Sequence, residues 1–468
     1  MWKTIIDKFR RRKETIHIQV GLDFGTSATK IVFAQVGGRL FRPVLFNHHL
    51  SNYPAFALPS IMAFDTQGDL LLGIDAARHL LEQHWQEGFQ RLKMVVAGKY
   101  DLAFLEKQTM QSFFRYEEAH KKDSKTYTPE RLTAIFVAYA LRQARDAVAK
   151  APEYQGHNLD LAFNVCMPID HLENNQVKPI FEKIFAWAEA IEKNWPRNGK
   201  NSDLFELSGL TENSVSYGHP ESRVFAIPEA IAETASYRFS LEQARGLHAV
   251  IDFGAGTTDV SIFNLRDEFQ ELRPYWYSAR NIPWGMANIE RLLAEMMVAH
   301  LPTGKILSGN ALSELFTSLK TDEAFPLDQS LRTALEDQVE AQFEELWGSS
   351  DYKKEAWGSA YGKLKKPSHW ENVRVFVGGG GSQAPFVEQV FSLPWCYPMV
   401  KGPYPVNPLP EPRNYDSCES QAPFHRMSVA YGLAFPKPIL DGYVLPRDCP
   451  DHTPARLRMR EIVDYDLQ

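Results

Sequence analysis

The stretch "VGLDFGTSATKIVF", Val20 to Phe33, decides how the rest of the chain is read. Apolar residues alternate up to Asp23, a short run of Gly, Thr and Ser intervenes, and alternation resumes. The period of two across His17 to Gln35 predicts two strands joined by the "GTS" turn, with Gly37 and Gly38 marking the next turn. One Asp-x-Gly-Thr can be no more than a hairpin turn. A second copy, "AVIDFGAGTTDVSIF", Ala249 to Phe263, follows about half a chain later. Each copy has a β-branched strand before it and hydroxyl residues and a further strand after it. Two halves of this kind, related by a pseudo-two-fold, would set their Asp-bearing turns opposite each other across a cleft.

A tight turn rich in Gly, Ser and Thr exposes several N–H groups on one side and attracts oxyanions. The hydroxyls of Thr26, Ser27, Thr257 and Thr258 add donors. An Asp beside phosphate is repelled unless a cation intervenes. Asp23 and Asp252 converging on one point are therefore best explained by a hydrated Mg²⁺ on a nucleotide's phosphates. Asp259 would position an attacking or metal-bound water. In "VFVGGGGSQAPF", Gly378 to Gly381 follow a buried strand and precede a helix expected from about Ser382, whose N-terminus favours anions. Taken alone, such a glycine run also makes an ordinary strand-to-helix turn. No G-x-x-x-x-G-K-[ST] or G-x-S-x-G occurs, neither Asp-Phe-Gly turn carries G-x-G-x-x-G, and no H-R-D loop accompanies them.

Composition sets outer limits. At 468 residues, 44% hydrophobic and 23% charged, the chain has the make-up of a soluble globular protein with more than one packing unit. A net charge of −7 argues against general nucleic-acid binding. The four cysteines, Cys166, Cys396, Cys418 and Cys449, form no CxxC pair, which fits a reduced compartment. Cys449 and His452 have C-x-x-H spacing without a second pair, so a polar C-terminal tail is the simpler reading. No apolar run reaches the roughly 18 residues needed to span a bilayer. On a helix, Trp2, Ile5, Ile6 and Phe9 share one face, with Lys3, Lys8, Arg10, Arg11, Arg12 and Lys13 around it. Residues 1–13 thus read either as a weak interfacial helix on an anionic membrane or as a frayed basic lead-in.

Further along, helix is expected from Asp75 to Leu105, over "TPERLTAIFVAYALRQARDAVAK" with Thr128 as N-cap, and over Gln176 to Lys193. A strand is expected at "LDLAFNVCMP", a helix over "PEAIAETASYRFSLEQAR", and charged helical sequence from Asn288 to about Lys366. The Pro-rich stretch from Pro398 to Pro423 reads as a long surface loop. "HRMSVAYGLAF" closes the pattern as a helix.

The ordered set "GLDFGTSATKIV", "VIDFGAGTTDVSIF" and "VFVGGGGSQAPFV" resembles the phosphate-1, phosphate-2 and adenosine motifs of the actin, sugar-kinase and heat-shock-chaperone ATPase superfamily. The chain looks most like the nucleotide-binding domain of DnaK-type chaperones, with "RVFAIPEAIAETASY" and "HRMSVAYGLAF" similar to their connecting helices. The resemblance spans about Ile16 to Pro436. It implies an α/β, two-lobed actin-like ATPase fold with duplicated ribonuclease-H-like cores and inserted subdomains. Lobe I would take residues 16–240 (core 16–48 and 159–240, insert 49–158) and lobe II residues 241–436 (core 241–290 and 371–436, insert 291–370). A basic N-terminal segment, 1–15, and a C-terminal tail, 437–468, would flank them.

By motif matching, the resemblance implies Asp23 and Asp252 for the metal. It implies Gly25, Thr26, Ser27, Gly254, Ala255, Gly256, Thr257, Thr258, Gly379, Gly380, Gly381, Ser382 and Gln383 for ATP or ADP. "FQRLKMVVAGKY" looks like the segment bearing the catalytic lysine, here Lys93, unless that residue is a plain helix-surface lysine. Three departures stand out. Ile227-Pro228 replaces the family's Glu-Pro, leaving Glu229 as the acidic candidate. Gln383 stands near a base-stacking arginine position. The peptide-binding domain is missing from this sequence. The expected function is an ATP-binding, slowly hydrolysing, DnaK-like switch whose lobe closure is read by a protein partner or client. The alternatives are an actin-like filament-forming or membrane-associated ATPase, a small-molecule kinase or phosphatase, and a nucleotide-binding pseudo-ATPase. A cytoplasmic location, peripheral at the membrane if residues 1–13 bind it, goes with this reading.

Overall fold

The computed structural model describes residues 15–50, 53–65, 69–83, 88–97, 128–168, 177–196, 203–212, 219–268, 271–289, 292, 329–345, 347, 351–383, 387–392, 402–417 and 422–449. The proposed membrane segment, 1–13, and most of the insert at 291–328 lie outside the described residues. The fold is mixed α/β with three sheets.

The first sheet begins with β1 (Thr15–Asp23), β2 (Ala28–Gln35) and β3 (Phe41–Pro43), with the short β4 (Leu58–Pro59) also pairing with β2. A small sheet follows, made of β5 (Ile61–Phe64), β6 (Leu70–Leu72) and β7 (Phe89–Gln90). The chain then returns to the first sheet with β8 (Asn158–Met167) and β9 (Val224–Pro228). The second large sheet takes β10 (Gly246–Phe253), β11 (Thr258–Glu268), β12 (Glu271–Ile282), β13 (Arg374–Gly378) and β14 (Val406–Pro408).

The two large sheets share one plan. Strand order is β3-β2-β1-β8-β9 in the first and β12-β11-β10-β13-β14 in the second. In each, an antiparallel hairpin lies beside two parallel strands. The duplication anticipated from the two Asp-Phe-Gly turns is therefore present in the topology.

Seven helices carry the account. They are α1 (Ile74–Gln83), α2 (Leu92–Val96), α3 (Pro129–Lys150), α4 (Val177–Lys193), α5 (Glu229–Glu233), α6 (Asp351–Lys363) and α7 (Phe424–Leu433). Helix α3 starts as its sequence dictates. Pro129 takes the first helical position, and Thr128 Oγ1 accepts from the Arg131 N–H at 3.2 Å. Its apolar face, with Leu132, Ile135, Phe136 and Leu141 fully buried, packs against the first sheet and α4. Burying side chains of this size contributes about 1.5–3 kcal/mol each relative to exposure.

Helix α7 is the central brace, packing on β1, β2 and β8 and crossing α5. The crossing is so close that a Cβ on Gly432 would overlap the Ala232 carbonyl. Asn164, fully buried in β8, donates from Nδ2 to the Leu433 and Phe435 carbonyls, both at 2.8 Å, and so ties off the end of α7.

Four expectations need correction. The helix expected over Asp75 to Leu105 breaks after α1: β7 and then Arg91, at φ 59°, separate it from the five-residue α2. The helix expected from Pro228 through Arg245 starts one residue later, because Pro228 still belongs to β9, and is two short pieces meeting at Thr234 and ending at Arg238. The Pro-rich loop contains β14, whose one proline, Pro408, is tolerated at a sheet edge. Within the expected C-terminal tail, residues 437–449 pack onto the fold. Val444 bridges to Tyr275 of β12, and Cys449 is buried in the second core with its carbonyl accepting from Lys363 Nζ at 2.5 Å. Among the described residues no helix is long and apolar enough to cross a membrane.

Candidate functional site

In each Asp-Phe-Gly turn, strand alternation sends the Phe into the core and leaves the Asp at the cleft. Phe24 packs beside Phe136 at 5.8 Å and Phe253 beside Trp284 at 5.9 Å, both fully buried. Asp23 and Asp252 line one cleft between the two large sheets, together with Gly25, Thr26, Ser27, Gly254, Ala255 and Thr257. Lys93, Glu229, Asp259, Gly379 and Gly380 line it as well. Residues far apart in the sequence thus meet at one place.

The hairpins match in register as well as in sequence. Asp23 is the cross-strand partner of Lys30, and Asp252 of Asp259, seven residues on in both cases. Lys30 Nζ donates to Asp23 Oδ2 at 2.7 Å. On the other side, Asp259 Oδ1 accepts from Asn281 Nδ2 at 2.5 Å. One wall therefore carries an ion pair where the other carries two carboxylates.

Lys93 sits on α2 and is 7% exposed, so it is no surface lysine. Its ammonium donates to both Glu229 oxygens at 2.8 Å and lies 3.7 Å from the Cys166 thiol. Burial by itself would lower the Lys93 pKa; the acidic groups around it, above all the Glu229 and Asp23 carboxylates, reverse that and raise it. Cys166 Sγ is also 3.4 Å from Asp23 Oδ1, and burial pushes its pKa well up, which keeps it a thiol. Glu229 is the first residue of α5, while Ile227 is buried in the core. The acidic group thus reaches the cleft from one position beyond the proline.

The carboxylates are strained by proximity. Burial, with Glu229 and Asp23 nearby, pushes the Asp252 pKa up to about 7. Burial also raises Glu229, against the opposing pull of Lys93. Glu233 is one helical turn after Glu229, buried, and its Oε1 has no hydrogen-bond partner. Burial and then Asp252, Glu229, Asp259 and Asp23 push its pKa well above the usual carboxylate range. The side chains whose ligand atoms converge within 4.8 Å are Asp23, Glu229 and Cys166. A cation there would relieve the repulsion, and the two carboxylates suit a hard ion such as Mg²⁺, whereas the neutral thiol does not.

Other expected residues serve structure. Thr258 is buried, with its hydroxyl donating to the Trp284 carbonyl at 2.8 Å. Gly256 packs against Met94 and Thr26, and Gly381 against the Phe253 ring. Ser382 Oγ donates to the Gly379 carbonyl at 2.9 Å and closes a turn. No helix begins at Ser382; the six-residue helix there starts at Val387, so the expected N-terminal dipole is not aimed by Ser382. Gln383 lines a second groove beside β14, with Arg374, Phe376, Leu409 and His425.

Sequence reasoning missed Lys30, Glu233, Cys166 and Arg426. Lys30 was findable, since it stands seven residues after Asp23 as Asp259 does after Asp252. Glu233 was also findable, as the i+4 neighbour of Glu229 on one helix face. Cys166 and Arg426 arrive through strand and helix packing that carries no local signal. No family model matches this chain, and no curated protein matches it.

Proposed function

We propose that the cleft binds Mg·ATP in an actin-like, two-lobed fold, and that the protein is a slowly hydrolysing nucleotide switch. One observation carries the reading: Asp23 and Asp252, at the C-terminal ends of equivalent strands of two sheets with the same order, line one cleft. Thr26, Ser27 and the backbone of Gly25 and of Gly254 to Thr257 would hold phosphates, and Asp23 and Asp252 would hold the metal. When bound, Mg²⁺ supplies charge neutralisation at the terminal phosphate. Asp259, steadied by Asn281, orients water. Lys93 offers a positive charge to the phosphate chain once it exchanges Glu229 for the nucleotide.

A pseudo-ATPase is the second reading. Both Glu229 oxygens are taken by Lys93, so neither group is free for chemistry unless the pair opens. Calorimetric titration with Mg·ATP and Mg·ADP, followed by a phosphate-release assay, tests both. Saturable binding with slow release supports the switch, and binding without release supports the pseudo-ATPase. An absence of binding overturns both.

A further inference from the structure

The cleft is lined by three basic side chains among the described residues, Lys30, Lys93 and Arg426. Two are already neutralised: Lys30 by Asp23 and Lys93 by Glu229. Arg426 is different. It stands in the first turn of α7, its guanidinium 5.0 Å from the centre of the Phe56 ring, and it has no acidic partner among the described residues. Its Nε is buried and makes no hydrogen bond. Partial burial lowers its pKa.

The placement is fixed from both sides. The residue before it, His425, accepts on its carbonyl from the Gly379 N–H at 2.8 Å, which stitches the start of α7 to the glycine turn. Gly380 faces Arg426, since a Cβ there would lie in ordinary contact with Nε, at 3.9 Å. Arg426 as a whole is only partly buried, and without an acidic partner among the described residues its guanidinium lacks a counter-charge; its fork suits phosphate oxygens. The guanidinium already rests over the Phe56 ring, a contact that limits the freedom it has to lose when an anion arrives.

We infer that Arg426 is an anion-binding residue for the part of a ligand's phosphate chain that lies at the Gly379–Gly380 turn. This rests on the nucleotide reading above for the identity of the ligand, but not for its charge. Arg426 faces the glycine turn, whereas Lys93 is engaged with Glu229 at α5. The contact therefore falls on a phosphate that ADP and ATP share, and not on the terminal one.

The test compares the native protein with Arg426→Gln and Arg426→Lys, using Mg·ATP, Mg·ADP, adenosine and magnesium tripolyphosphate as probes. Arg426→Gln is expected to weaken ATP and ADP by similar factors, at least about tenfold, and tripolyphosphate likewise. Adenosine should bind as before, and Arg426→Lys should restore part of the loss. Without ligand, Arg426→Gln should melt no lower than the native protein, because it removes an unpaired cation; a purely structural arginine would give a lower melting temperature. Tripolyphosphate binding that needs Arg426 in a protein that binds no nucleotide would leave this inference standing and overturn the nucleotide reading. Loss of adenosine affinity would point to base stacking and overturn the inference. So would unchanged affinity for all four probes, or a native protein that binds none of them.

Discussion

Lys93 donates to both carboxylate oxygens of Glu229, at 2.8 Å each, in a setting where both side chains are about nine-tenths buried. Removing one partner strands the other. Lys93→Met or Glu229→Leu alone should cost about 3–5 kcal/mol in urea unfolding. The double variant Lys93→Met/Glu229→Leu should recover most of that loss. Additive losses would mean that the two groups do not act as a pair.

If the cleft binds Mg·ATP as proposed, the two carboxylates assigned to the metal should separate from the groups assigned to phosphate. Asp23→Ala and Asp252→Ala are each expected to weaken Mg·ATP binding about tenfold or more in calorimetric titration. Asp252→Asn should leave metal-free tripolyphosphate binding intact or improve it, since one repulsive charge is gone. Equal losses with and without Mg²⁺ would rule out a metal role for Asp252.

Gly432 allows α7 to cross α5 at backbone contact. Gly432→Ala should destabilise the protein by roughly 3 kcal/mol, because a methyl group there meets the Ala232 carbonyl and not a yielding side chain. Thermal unfolding would report it, and a variant with native stability would show that the crossing can open freely.

His248 supplies a pH dependence that is independent of the cleft. It is buried on β10; Nδ1 donates to the Gly246 carbonyl at 2.8 Å, which leaves Nε2 to accept from the Tyr237 hydroxyl at 2.9 Å. Burial pushes its pKa down to about 4. The unfolded chain therefore takes up a proton near pH 6.5 that the folded one refuses until about pH 4. This contribution is complete above pH 6.5 and is lost as the pH falls through that window, on the order of 3 kcal/mol in all. His248→Gln should flatten the fall in stability between pH 7 and pH 4 relative to the native protein. An unchanged slope would assign the acid sensitivity to other groups.

Much of the fold was legible because it is written in local patterns. The alternation around Asp23 and Asp252 gave both hairpins, and Thr128-Pro129 marked the start of α3 to the residue. What was hidden depends on distant partners. Glu229 reads as part of a continuous helix until Pro228 is seen to end β9. Val406 to Pro408 reads as loop until β13 offers it an edge. Lys93 could be suspected from its surroundings in sequence, but its partner is Glu229, and nothing local links them. Arg426 was beyond reach, since only the packing of α7 turns it toward the glycine run.

The bridge between Val444 and Tyr275 has a further consequence. The Trp276 N–H donates to the Val444 carbonyl at 2.9 Å, and the Val444 N–H to the Pro274 carbonyl at 3.0 Å. The chain thereby occupies with its own backbone the Pro274–Trp276 part of the β12 rim, which another copy could otherwise join. A chain cut after Leu440 would exchange a self-sealed rim for an adhesive one, and sedimentation should find it as aggregates where the intact chain stays dispersed.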